Sequence, residues 1–240
     1  MRHIPNFITS LNLAAGFTAI IFTVNGDILT ASWLILAAMI FDFLDGFSAR
    51  LLKAYSEVGK ELDSLADLVS FGVAPGLIIY HLLNDSLSIS APMTSSSVSV
   101  ENCLILIIPV FMPVCAALRL AVFNTDTTQT TSFKGLPTPA NALAVITVVI
   151  AGYYSPSPIF SAFTGSPAFL TIFAIILSLI MVSRIPLLSM KVSDLKLKGN
   201  EGRYILAGLV IVSLVIFGIQ AVPLIIPFYF LASILSLFFR

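Results

Sequence analysis

Long apolar runs, broken by short polar punctuation, account for most of this chain. A helix needs about 20 mostly apolar residues to cross a bilayer. The runs predict eight such spans: residues 8–24, 29–51, 58–83, 103–123, 140–154, 168–188, 204–219 and 222–239. The fifth is short, and the last two are separated only by Gln220 and Ala221, which predicts a tight hairpin. The pattern predicts an all-α, polytopic membrane helix bundle. Residues 1–240 form a single integral membrane domain on this reading, with 203–240 as an additional transmembrane hairpin. The N-terminal stretch has one arginine and an apolar run but no clear A-x-A cleavage site. It is expected to be a short interfacial segment leading into a retained first span.

Composition agrees: 58% of residues are hydrophobic and 10% charged, with a mean hydropathy of +1.04. A soluble domain carries about 25% charged residues. A net charge of zero gives no bulk case for a nucleic-acid partner. Cys103 and Cys115 lie in an apolar stretch and read as small core residues. With eight spans, all 12 Lys and Arg fall on one side: at Arg2, around the second, fourth and sixth connections, and at Arg240. The positive-inside rule makes that side cytoplasmic and places both termini there. The Ser-rich segment 87–100 is then an external loop, and 125–132 a polar cytoplasmic connector.

The acidic residues are distributed differently. Asp42, Asp45, Glu57, Glu61, Asp63 and Asp67 make up half of the 12. Glu57 and Glu61 fall near the membrane surface, where solvation is the simpler reading. The aspartates fall inside predicted spans, where a carboxylate costs several kcal/mol unless something offsets it. Asp42 and Asp45 are three apart and Asp63 and Asp67 four apart, so each pair shares a helix face. The hairpin turns near 53–56. At about 1.5 Å per residue, both pairs lie roughly 12–15 Å or slightly more from the turn, level with one another in the cytoplasmic third. Four level carboxylates suit a hard divalent cation, which takes oxygen ligands.

Gly46 and Ala49 make a small face beside the first pair, Arg50 lies one turn below, and Gly59 precedes Asp63 by four. Glycine inside a helix costs about 1 kcal/mol relative to alanine and is explained where something approaches the backbone closely. Small residues beside carboxylates and an arginine suggest a slot for a flat phosphorylated ligand. Three readings stay open on these grounds: metal-dependent phosphate chemistry, an ion or proton pathway, and structural polar packing.

Asp42, Asp45, Gly46, Ala49, Arg50, Gly59, Asp63 and Asp67 fit D-x2-D-G-x2-A-R-x8-G-x3-D-x3-D without a departure. This resembles the signature of the CDP-alcohol phosphotransferases. DSLADLVSFGVAPG at 63–76, ALRLAVFN at 117–124, FKGLPTPANA at 133–142, MVSRIPLLSMK at 181–191 and the N-terminal IPNFITSLNL resemble the phosphatidylserine synthase branch of that family. The similarity covers most of residues 1–191, the expected catalytic region. Val122 departs from the pattern, which has arginine there.

The resemblance implies transfer of the phosphatidyl group from CDP-diacylglycerol to L-serine, with release of CMP. It implies Mg²⁺ or Mn²⁺ held by Asp42, Asp45, Asp63 and Asp67, with Asp67 also the catalytic base. It assigns Gly46, Ala49, Arg50 and Gly59 to the CDP pocket, with Asn6 and Thr9 adding hydrogen bonds to the donor. Arg119, Asn124, Lys134 and Arg184 are the candidates for binding the acceptor. It also implies a bacterial or archaeal cytoplasmic membrane, and a homodimer as the common assembly. Another acceptor, such as glycerol 3-phosphate or inositol phosphate, is the nearest alternative. An ion-coupled transporter is the alternative of a different class. Neither His3 nor His81 begins an H-x-K motif, which the other known chemistry for this product uses.

Overall fold

The computed structural model describes residues 3–89, 98–125, 133–188 and 200–236. It is helical throughout apart from one two-stranded ribbon. In chain order the helices are α1 (Ile4–Val24), α2 (Ile28–Leu51), α3 (Glu57–Asp67), a π-helical turn at Leu68–Val73, α4 (Ala74–Ser86), α5 (Val100–Ile107) and α6 (Phe111–Thr125). Strand β1 (Phe133–Lys134) precedes α7 (Thr138–Tyr154), α8 (Pro158–Thr164) and α9 (Pro167–Val182). Strand β2 (Pro186–Leu187) precedes α10 (Glu201–Phe217) and α11 (Ile225–Ser236). The ribbon pairs Phe133 with Leu187 and Lys134 with Pro186, antiparallel. It is the one departure from the all-helical expectation among the described residues.

Local chemistry sets the helix starts. Asp27 caps α2 by accepting from the Thr30 amide at 2.9 Å, after a turn in which Gly26 adopts φ +85°. Ser56 caps α3 by accepting from the Gly59 amide at 3.0 Å. The turn between α2 and α3 places Lys53 at φ 50°, at the expected bend of the hairpin.

Among the described residues, five helical stretches are long and apolar enough to cross a membrane, or six with α8 and α9 taken as one span bent by 76°. Eight were expected, and the difference has physical reasons. Helix α7 has only 17 residues. The 36-residue stretch Glu201–Ser236 counts once by length. Yet a Cβ at Gly202, near the start of α10, would stand 2.8 Å from Cβ of Ser236 and 3.2 Å from the Ala232 carbonyl at the end of α11. The stretch therefore doubles back, as the hairpin expectation required, through a turn where Gly218 takes φ 58°.

The core lies around α4 and α7. Ile78, Leu83, Ala142, Ile146 and Ala151 have no exposed surface. Helix α7 is short but buried on nearly all sides, while the outer helices present large apolar side chains such as Phe17, Ile40 and Val215 outward, as a bilayer-facing surface does. Cys103 is partly buried and Cys115 buried, and neither forms a disulfide among the described residues. Most of segments 87–100 and 125–132 lies outside the described residues.

Candidate active site

Three of the four aspartates converge on one point. Carboxylate oxygens of Asp42, Asp63 and Asp67 lie within 4.8 Å of one another. Asp45 stands beside them on α2, 5% exposed and facing Thr9 of α1. The fourth aspartate is thus adjacent to the three-oxygen cluster and not a member of it.

The donor set fits a divalent cation. Among the described residues, none of the four carboxylates is paired with Lys or Arg. Asp45 Oδ2 and Asp63 Oδ1 are buried with no hydrogen-bond partner. Packing anionic oxygens this closely without a cation or a donor is costly. An all-oxygen set of this kind suits Mg²⁺ or Mn²⁺ in place of a softer metal.

A cavity of about 1140 Å³ opens beside the cluster. Its walls come from the start of α1, the C-terminal half of α2, the turn and the start of α3. Asn6, Thr9, Asp42, Asp45, Gly46, Ala49, Arg50, Gly59 and Asp63 all line it, so every residue expected at a CDP pocket faces one space. At Gly59 the α3 backbone passes so close to α1 that a Cβ would stand 2.9 Å from Asn6 Oδ1 and from Ser56 Oγ. A side chain there would push into the α1–α3 wall of the cavity.

The acceptor candidates separate. Arg119, on α6, is partly buried and within electrostatic reach of Asp67. Its Nε is buried with no partner, and its guanidinium carbon lies 6.0 Å from the Phe123 ring centre. Asn124 is engaged differently: its amide donates to Ser64 Oγ at 2.9 Å, and its carbonyl accepts from Lys60 Nζ at 2.8 Å. It ties α6 to α3 beside the site. Lys134 sits on the ribbon through its backbone, and its side chain lies outside the described part of the structure. Arg184 is exposed just beyond α9.

Three contributors were not anticipated. Asn12 of α1 is fully buried and donates to Asp67 Oδ1 at 3.3 Å. The signal was present: Pro5, Thr9, Asn12, Gly16, Ala19 and Thr23 form the buried face of α1, and Asn12 continues the polar stripe begun by Asn6 and Thr9. The second is the π-helical turn directly after Asp67. Such turns interrupt the regular ladder and are frequent at functional sites. Here Asn141 of α7 donates to the Phe71 carbonyl at 3.0 Å, and Ser70 Oγ donates to the Asn12 carbonyl at 3.1 Å. Ser70, Phe71 and Gly72 are packing residues in this arrangement, with Gly72 against Ala116. The third is Lys60, near the second connection, which lines the cavity.

A family model described as CDP-alcohol phosphatidyltransferase matches residues 2–180. The chain belongs to that family. Among curated relatives, the CDP-diacylglycerol–serine O-phosphatidyltransferase of Mycobacterium leprae is 36% identical over 79% of this chain and 59% of its own length. The archaetidylserine synthase of Methanothermobacter thermautotrophicus is 34% identical over 63% of this chain and 60% of its own. The chain thus spans about three fifths of those two relatives. The Bacillus subtilis CDP-diacylglycerol–serine O-phosphatidyltransferase is 32% identical over 77% of this chain and 89% of its own length. For a CDP-alcohol phosphatidyltransferase, the match ends at 180, inside α9, so α10 and α11 lie beyond it.

Proposed function

We propose that this protein transfers the phosphatidyl group of CDP-diacylglycerol to L-serine, releasing CMP, in a reaction that requires Mg²⁺ or Mn²⁺. The observation that carries the reading is the convergence of Asp42, Asp63 and Asp67 at the edge of a cavity walled by Gly46, Ala49, Arg50 and Gly59. The serine in the names of the relatives points to the acceptor.

Asp42, Asp45, Asp63 and Asp67 would hold the metal, whose charge offsets that of the pyrophosphate and of the departing CMP. Arg50 pairs with phosphate oxygens of the donor, and Asn6 and Thr9 hydrogen-bond to it across the cavity mouth. Gly46, Ala49 and Gly59 keep the walls low enough for the cytidine and ribose to lie against backbone. The diacylglycerol chains stay in the bilayer while the headgroup enters the cavity from the side.

Asp67 takes the proton of the serine hydroxyl as that oxygen attacks the phosphatidyl phosphorus. The new bond joins serine oxygen to phosphorus, and the bond from phosphorus to the CMP oxygen breaks. Asn12, donating to Asp67 Oδ1, leaves the other carboxylate oxygen to accept the proton. Arg119 binds the serine carboxylate: its Nε is buried with no hydrogen-bond partner, and it lies within electrostatic reach of Asp67. Lys134 and Arg184 add positive charge on the same side, which faces the cytoplasm of a bacterial or archaeal cell.

The test is CMP release from purified protein given CDP-diacylglycerol and Mg²⁺ or Mn²⁺, with each acceptor in turn. Release with serine is expected. Release with glycerol 3-phosphate and not serine overturns the acceptor, and no release with any alcohol overturns the enzyme.

A further inference from the structure

Helices α10 and α11 lie outside the region that matches the family model, and nothing in the reaction described so far uses them. Their contacts nevertheless converge on the acceptor side. Tyr229 of α11 is 5% exposed and within electrostatic reach of Arg119. Its hydroxyl donates to the Leu188 carbonyl at 2.8 Å. One turn along, Ser233 Oγ accepts from the Leu188 amide at 3.1 Å and donates to the Tyr229 carbonyl at 2.7 Å. Both polar groups of the Leu188 backbone are thus held by one face of α11.

Leu188 directly follows β2, whose partner strand carries Lys134, and Arg184 lies four residues before it. One short segment therefore joins two of the cations expected to meet the acceptor, Lys134 through the ribbon and Arg184 within the segment itself, to the face of α11 that carries Tyr229. Membrane anchoring does not account for this. A helix that only added a span has no reason to bury a tyrosine hydroxyl and a serine hydroxyl on one residue's backbone, since burying polar groups is justified only by the bonds they make.

We propose that α11 is part of the acceptor site, with Tyr229 and Ser233 as positioning residues that set Arg119 and the ribbon against the serine carboxylate. This rests on the serine-transfer reading. Neither residue touches the reacting atoms. The aspartate cluster and the CDP cavity are built from α1 to α3, so disturbing α11 acts on the acceptor and leaves the donor unaffected.

The test is steady-state kinetics of Tyr229→Phe and Ser233→Ala in the full-length protein, varying serine and CDP-diacylglycerol separately, with thermal unfolding measured beside them. Tyr229→Phe keeps the ring and removes one hydrogen bond. The KM for serine is expected to rise about three- to tenfold, the size of one such bond. The kcat and the KM for CDP-diacylglycerol are expected to stay within about twofold of wild type. Ser233→Ala is expected to shift the same parameter in the same direction. An unchanged KM for serine in both variants overturns the proposal. So does a parallel loss of kcat, both KM values and melting temperature, which marks a purely structural helix. Failure of the wild type to turn over serine is a different result: it overturns the parent reading, and α11 is then scored on the KM of the acceptor that does react.

Discussion

The amide of Asn12 donates to Asp67 Oδ1 at 3.3 Å, joining residues 55 positions apart and tying the first helix to the acidic cluster. Asn12 has no exposed surface, so no water competes for that contact. Asn12→Ala is expected to lower kcat about tenfold, the low end for a hydrogen bond to a charged group. The KM for CDP-diacylglycerol should change little. CMP release at saturating substrate measures this, and a wild-type kcat would remove Asn12 from the site.

Asp67→Asn separates two roles. The amide cannot accept the serine proton, so turnover should vanish. Much of the affinity for a CDP donor should survive, because Asp42 and Asp63 of the cluster remain, with Asp45 beside them. Calorimetric titration with CDP checks it. If binding disappears as completely as turnover, Asp67 acts mainly as a ligand.

Metal depletion is expected to abolish CMP release, and Mg²⁺ or Mn²⁺ to restore it. Asp42→Asn removes one of the three clustered carboxylates and should raise the metal concentration needed for half-maximal rate. Full activity in a sample shown by elemental analysis to be metal-free would refute the cation assignment.

Two glycines should respond differently to alanine. At Gly16 a Cβ would stand 2.7 Å from the Ser70 Cα, part of the backbone of the π-helical turn. Gly16→Ala should destabilise by about 1–3 kcal/mol or more, as overpacking does. At Gly59 the neighbours are the tips of Asn6 and Ser56, which can shift. Gly59→Ala should cost less stability and instead raise the KM for the CDP donor. Thermal unfolding in detergent, paired with kinetics, distinguishes them, and equal melting losses would contradict the assignment.

The depth match of the aspartates was legible because it depends only on helical rise and on the position of one turn. Asp42, Asp63 and Asp67 meet within 4.8 Å without any further information. The small face at Gly46 and Ala49 was legible for the same reason, being local to one helix. Asn12 was half legible, since its place on a buried stripe follows from spacing but its partner on another helix does not. The π-helical turn was not legible. It differs from an α-helix by the registry of a few backbone bonds, and what holds it is Asn141, some 70 positions away.

The sequence by itself determined that the chain is a helical membrane protein. It also set the facing of each aspartate pair. Periodicity, apolar length and charge asymmetry are properties of single segments, so a linear string records them. Only the tertiary structure decided which acceptor candidate stands beside the carboxylates. Arg119 reaches Asp67, Asn124 is engaged by Ser64 and Lys60, and Arg184 is exposed. It also decided that Tyr229 of α11 is held to the Leu188 carbonyl beside the ribbon, within electrostatic reach of Arg119. Those outcomes depend on how separate helices pack, and helical spacing within one segment carries no record of its neighbour.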